Sequence, residues 1–292
     1  MRIDTHQHFW KLARGDYSWL SPDLEPLYRD FLPSDLKPLL EAAGLDGTIA
    51  VQAADREAET DYLLSLAARH DWIKGVVGLV DLEAGTAVAS IQRLAQDPKF
   101  LGLRPMLQDI ADDAWMLRPA LGPALATMAR LKLTFDALVL PRHLPHLQTF
   151  VTRYSDLNVV IDHGAKPEIH CGKFQPWADY MQAFADHPQV FCKISGLVTE
   201  AGADWTPADL ALYLQHLLQV FGPDRLLFGS DWPVLNLAGQ YSGWADLVRH
   251  ALGTDAETVL ARNPFHAYPR LSASGQDLTG HRGAVRSAGA KV

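Results

Sequence analysis

The chain has 292 residues, 48% of them hydrophobic and 21% charged, with a formal net charge of −8. The length suits one barrel of ~250 residues, and an acidic balance with no basic stripe argues against nucleic-acid binding. Two cysteines, Cys171 and Cys192, make no disulfide framework. With no basic-then-apolar leader and no apolar run near ~20 residues, the expectation is a soluble cytoplasmic protein with no membrane partner.

In chain order, Arg2-Ile-Asp-Thr-His-Gln-His8 opens as a short strand. Side chains alternate along a strand, so His6 and His8 are expected on one face, side by side. The aromatic- and proline-rich stretch 11–33 has no regular pattern, and a loop of that length is expected to cover a site. A helix over 35–43 follows, with Ser34 as its cap and Gly44 as its stop.

From there, apolar strands alternate with helices. Strands are expected over 47–53, 73–80, 100–106, 132–139, 158–164, 190–196 and 226–232. Helices are expected over 57–70, 86–95, 120–131, 143–154, 177–187, 207–221, 241–251 and 256–262. Counting the first, eight short apolar strands separated by helices predict an α/β chain folded as a single-domain (β/α)8 barrel over residues 1–271. An open doubly wound sheet is the alternative, weakened because no glycine-rich loop follows the first strand. Residues 272–292 are rich in Ser, Gly and Ala and predict a flexible tail.

A (β/α)8 barrel carries its chemistry at the carboxyl ends of its strands. The polar residues expected there are His6, His8, Gln52, Arg104, Asp136, His163 with Lys166 after it, Lys193, and Asp231 beside Trp232. Each has a plainer explanation. Arg104 and Asp136 could neutralise one another, Gln52 and Lys193 could be solvated rim residues, and His163 could be a satisfied core histidine. Asp231, between Phe-Gly-Ser and Trp-Pro, is hard to explain as packing.

Three motifs carry a family resemblance: Ile3-Asp-Thr-His-Gln-His8, Ile161-Asp-His-Gly-Ala-Lys-Pro167 and Leu227-Phe-Gly-Ser-Asp-Trp-Pro233. Together they resemble the amidohydrolase superfamily, and within it the amidohydrolase-related branch that opens lactones of sugar acids. The resemblance runs from about residue 2 to the Asn263-Pro-Phe-His-Ala-Tyr-Pro-Arg-Leu271 ending. It implies lactone hydrolysis, with Asp231 as general base and His6, His8 and His163 polarising the carbonyl. It also implies one divalent metal ion, zinc or manganese, on His6, His8 and Asp231, or a metal-independent site using the same residues. Members with two metals are expected to carry a lysine or histidine on the fourth strand and a histidine on the fifth. Arg104 and Asp136 stand there instead, so a bridged two-metal centre is not implied.

A small, polyhydroxylated lactone ring needs fixed polar contacts and a flat apolar face. Gln52, Arg104, Lys193 and the aromatic pair Trp10 and Trp232 supply those types, whereas Trp19, Trp115, Trp177 and Trp205 could equally pack loops. Two other functions remain: a metal-dependent decarboxylase or C–C hydrolase, and a non-catalytic sugar-binding barrel. The particular lactone, its ring size and the oligomeric state are not legible in the sequence.

Overall fold

Eight parallel strands do form, in the sheet order β1 to β8. They are Ile3–Gln7, Gly47–Val51, Ile73–Gly78, Phe100–Leu103, Thr134–Ala137, Val159–Ile161, Val190–Ile194 and Leu226–Phe228. The computed structural model describes residues 1–274. Each strand stops short of its expected carboxyl end, because there the chain turns its polar residues into the barrel mouth. The ends of the sheet meet where Gln7 bridges Trp232, with the His8 amide donating to the Trp232 carbonyl (2.8 Å) and the Asp231 amide to the His6 carbonyl (2.8 Å). The fold is a (β/α)8 barrel.

Two apolar layers hold it. Inside the barrel, Ile3, Ile49, Val51, Val77, Leu101, Val160, Phe191 and Leu227 pack together, and Tyr268 and Leu271 join them. The larger layer lies between the outward strand faces and the helices, with Phe100, Phe135, Val159, Val190 and Phe228 among its members. Alternate residues thus serve opposite layers, and strands buried on both faces read as the continuous apolar runs seen in the sequence.

The helices fall near the expected segments, with Pro207–Phe221 matching its expected span. The first runs Pro33–Ala42, and Ser34 lies inside it rather than capping it. Pro33 supplies a helical φ at the first position, and the Asp35 carboxylate accepts from the Leu32 amide at 2.8 Å. The expected 177–187 helix ends at Gln182. Beyond it the Arg225 guanidinium binds the carbonyls of Phe184, Ala185, His187 and Val190, which supports a tighter turn. Two short helices had no clear periodicity, Leu197–Ala201 and Asn263–Ala267. Among the described residues no helix is long and apolar enough to cross a membrane. The tail expected over 272–292 lies outside the described residues from 275 onward.

Candidate active site

His6 and His8 do converge, although β1 shifts register between Asp4 and Gln7. Their Nε2 atoms are 3.2 Å apart, and the His8 Nε2 lies 3.2 Å from an Asp231 carboxylate oxygen. The same oxygen is 3.7 Å from the His6 Nε2 and 3.9 Å from the His163 Nε2. Three imidazoles from β1 and the end of β6 therefore aim one nitrogen each at a carboxylate following β8.

The backbone here is strained and tightly held. Asp231 has φ 58, and His163, Ala165 and Lys166 have φ 54, 61 and 50 with Gly164 between them. Non-glycine residues in this region cost ~1–3 kcal/mol each and persist where surroundings overdetermine them. The surroundings do so. The Lys166 amide donates to the His163 carbonyl (2.9 Å), and the Trp177 indole donates to the Gly164 carbonyl (2.7 Å). Gly229 and Gly196 permit the close approach: a Cβ would come 2.7 Å from the His6 Cβ at the first and 2.7 Å from the His163 Nδ1 at the second.

The other ring nitrogens have fixed partners. His8 Nδ1 faces the Val51 carbonyl at 2.8 Å, which can only accept, so this nitrogen carries the proton. Neutral His8 then presents a bare Nε2 to the Asp231 oxygen. Two acceptors at that distance require a positive charge between or upon them, either a proton on His8 or a metal ion. His6 Nε2 faces the Arg104 guanidinium at 3.4 Å, and its Nδ1 faces an Asp162 oxygen at 3.3 Å. His163 Nδ1 meets the Ser195 hydroxyl at 2.9 Å. Burial first, then Lys193 and His163, drives His6 well below its ordinary pKa against the pull of Asp162. Burial likewise takes His163 down to about 4, against Asp231 and Asp162. Burial acts to raise the Asp231 carboxyl, but His163, the His8 contact and His6 outweigh it, and it stays ionised.

This donor set fits one divalent ion. His6, His163 and Asp231 offer ligand atoms all within 4.8 Å of one another, and His8 adds a fourth nitrogen beside them. Imidazole nitrogens with oriented second nitrogens, plus a carboxylate, suit zinc.

Below the histidines lies a fully buried ionic floor. The Lys193 ammonium, with no exposed surface, sits 2.5 Å from Asp136, 2.9 Å from Asp162 and 3.2 Å from the His6 Nδ1. Burial would deprotonate Lys193, but the two carboxylates reverse this and hold its pKa above the ordinary value. Tyr268 donates to Asp136 at 2.8 Å from beneath, and Arg104 lies 3.5 Å from the second Asp162 oxygen. Arg104 and Asp136, which could have neutralised one another, instead pair as Arg104–Asp162 and Lys193–Asp136. On the outer side Asp4, buried and raised to about 6 by that burial, accepts from the amides of His6 and Ser230 and from the Tyr241 hydroxyl.

Above the histidines is a cavity of about 260 Å3 whose walls include His8, Arg104, His163, Lys166, Asp231 and Trp19. Four expected substrate contacts lie elsewhere. Trp10 is fully buried, edge-on to Phe31 at 5.2 Å, and its indole binds the Arg29 carbonyl. Trp232 packs against Phe9 and Phe31. Both anchor the 11–33 loop instead of forming a platform for a ring. Gln52 is fully buried and donates to the Arg104 carbonyl at 2.7 Å, while the Arg104 guanidinium binds the Gln52 carbonyl in return. It therefore positions Arg104. Lys193 is sealed in the floor. The aromatic ring that does reach the cavity is Trp19, held by its indole at the Ala53 carbonyl (2.8 Å). Lys166 also lines it, reaching Gln108 across the mouth at 2.8 Å.

Asp162 and Asp4 belong to the site's support and were quoted within motifs without being singled out. Strand parity carries the missing signal for Asp162. Val160 pairs with Phe191 on the inner face, so Asp162, two residues on, stands level with Lys193.

The family model for amidohydrolases matches residues 3–270. The chain belongs to the amidohydrolase family. This amidohydrolase is 46% identical over 275 residues to an L-fucono-1,5-lactonase of Burkholderia ambifaria, covering 91% of this chain and 95% of that one. An L-fucono-1,5-lactonase of Burkholderia multivorans is 39% identical over 265 residues, covering 85% and 87%. Among solved structures, an amidohydrolase from Burkholderia multivorans with zinc bound superposes with a TM-score of 0.85 at 36% identity, covering 92% of this chain and 99% of that one.

Proposed function

We propose that this amidohydrolase opens the ring of a sugar-acid lactone of the L-fucono- or L-rhamnono-lactone type. The observation that carries the proposal is the convergence of three imidazole nitrogens on the ionised Asp231 carboxylate, at 3.2, 3.7 and 3.9 Å, in the wall of a ring-sized cavity. The L-fucono-1,5-lactonase relatives supply the substrate class.

Hydrolysis needs a water, an acceptor for its proton, and positive charge facing the carbonyl oxygen. Asp231 takes the proton as the water oxygen bonds to the carbonyl carbon. It returns that proton to the ring oxygen when the carbon–oxygen bond of the ring breaks, leaving a hydroxy acid that ionises. His6, His8 and Asp231, with His163 beside them, would hold a divalent ion. When bound, that ion polarises the carbonyl and lowers the pKa of a bound water. The Arg104 guanidinium and Lys166 ammonium stand in the same wall as donors toward substrate oxygens. Neutral His8 cannot donate from Nε2, so a metal-independent reaction would rest on the Arg104 guanidinium and the Lys166 ammonium in the same wall. A lactone is a reactive ester and asks for modest electrophilic help.

The test is proton release from a panel of aldonolactones, L-fucono-1,5-lactone included, before and after exhaustive chelation. Turnover in either state supports the proposal, and loss on chelation with recovery on one divalent ion assigns the ion to the histidines. No turnover of any lactone in either state, or release of CO2 from an aromatic acid, would overturn it in favour of a decarboxylase.

A further inference from the structure

The mouth holds a second cavity, larger than the first, of about 440 Å3 over the ends of β2, β3 and β4. Trp19, Ala53, Met106 and Asp109 line both cavities, so the two adjoin in the mouth as an inner and an outer lobe that meet at Trp19. The inner lobe, about 260 Å3, falls just below the ~300–1,000 Å3 of typical small-molecule sites and accommodates one ring. The outer lobe is surplus to that ring.

Its walls have a definite chemistry. Trp19 and Trp115 present ring surface, and each indole N–H is already engaged, Trp19 by the Ala53 carbonyl and Trp115 by Glu83 at 2.7 Å. Rings pinned by that nitrogen keep their apolar faces for a ligand. The polar wall has Asp55, Asp81 and Asp109 as acceptors, with Ser18 and with Asp16 already paired to Arg14 at 2.6 Å, and among the described residues no lysine, arginine or histidine lines it. Carboxylates match hydroxyl donors and repel anions. Flat apolar faces flanked by hydroxyl-accepting groups, directly beside a site for a polyhydroxylated ring, describe a place for another such ring.

We propose that the outer lobe is a subsite for a second, uncharged sugar ring, so that the chain takes aldonolactones carrying a glycosyl substituent. The proposal rests on the lactonase function of the inner lobe. Lactone opening at Asp231 is unchanged, and the added ring contributes binding alone.

The experiment measures how strongly cellobiono-, maltobiono- and melibiono-1,5-lactone compete with L-fucono-1,5-lactone hydrolysis, each against glucono-1,5-lactone, as a KM where cleaved and a Ki where not. At least one glycosylated lactone is expected to bind about tenfold more tightly than glucono-1,5-lactone. Trp115→Ala should remove that gain and leave glucono-1,5-lactone unchanged. Ile110 also lines the outer lobe, and Ile110→Trp, which fills the lobe instead of emptying it, should do the same if Trp115→Ala fails to fold. Equal binding of one- and two-ring lactones overturns the subsite, as does a Trp115→Ala loss shared equally by both. Failure to hydrolyse L-fucono-1,5-lactone at all would instead overturn the lactonase function.

Discussion

The two sides of the barrel mouth are built to different standards. On the β6–β8–β1 side every group of the candidate site is locked: His8 by Val51, His163 by Ser195, His6 by Asp162 and Lys193, and Asp231 by a left-handed backbone tied to β1. On the β2–β4 side the wall is a wide lobe of loop residues, with Trp19 38% exposed at its edge. Chemistry requires reacting atoms placed to within a fraction of an ångström, whereas recognition of a hydroxylated ring tolerates adjustment. Substitutions on the locked side should therefore remove turnover or stability, and those on the open side should change affinity.

The largest effect tests the locked side directly. Asp231→Asn keeps the shape and removes the base, so kcat should fall about a thousandfold or more. Near wild-type kcat would dismiss Asp231 as the proton acceptor. Next comes the floor. Lys193→Met leaves Asp136 and Asp162 buried without their cation, and chemical denaturation should show a loss of about 3–5 kcal/mol. A neutral result would mean that the floor is not held by charge.

Lys166 follows β6 on the locked side but ends in the wall of the inner cavity, so Lys166→Met should raise KM about tenfold while kcat stays within about threefold, since the ammonium reaches substrate oxygens and not the proton in transit. A drop in kcat with KM unchanged would move Lys166 into the catalytic group. The smallest effect is a pH slope. Glu59 accepts from the Ala53 and Ala54 amides that line the outer lobe, and burial raises its pKa from 4.5 to about 7. Folded protein thus binds a proton that the unfolded chain releases between those values. Stability from this group is full below pH 4.5 and is lost as pH rises through about 7. Relative to Glu59→Gln, the wild-type chain should lose up to about 1.4 kcal/mol per pH unit in that window. Parallel pH–stability curves would show that Glu59 does not titrate there.

The fold was legible because strands covered on both faces are apolar throughout, and the histidines and Asp231 because they break such strands where an active site belongs. The substrate contacts were harder to read. Trp10 and Trp232 lie beyond the ends of β1 and β8, where strand alternation no longer sets a ring's direction, and both point into the loop packing. Trp19 lies in an irregular stretch, where no periodicity tells which way a ring turns. Lys193 looked like a rim residue because a buried ammonium is costly, and its compensation by Asp136 and Asp162 comes from two other strands. Pairings of that kind appear only once register is known.

The bonds joining β1 to the segment after β8 have a consequence for how the protein is made. His6 and His8 leave the ribosome well before Asp231 does. Their mutual bonds, Asp231 amide to His6 carbonyl and His8 amide to Trp232 carbonyl, are also the seam that shuts the sheet into a ring. A growing chain therefore carries half of the site until the seam closes. The candidate site is completed in the same event that makes the chain a barrel.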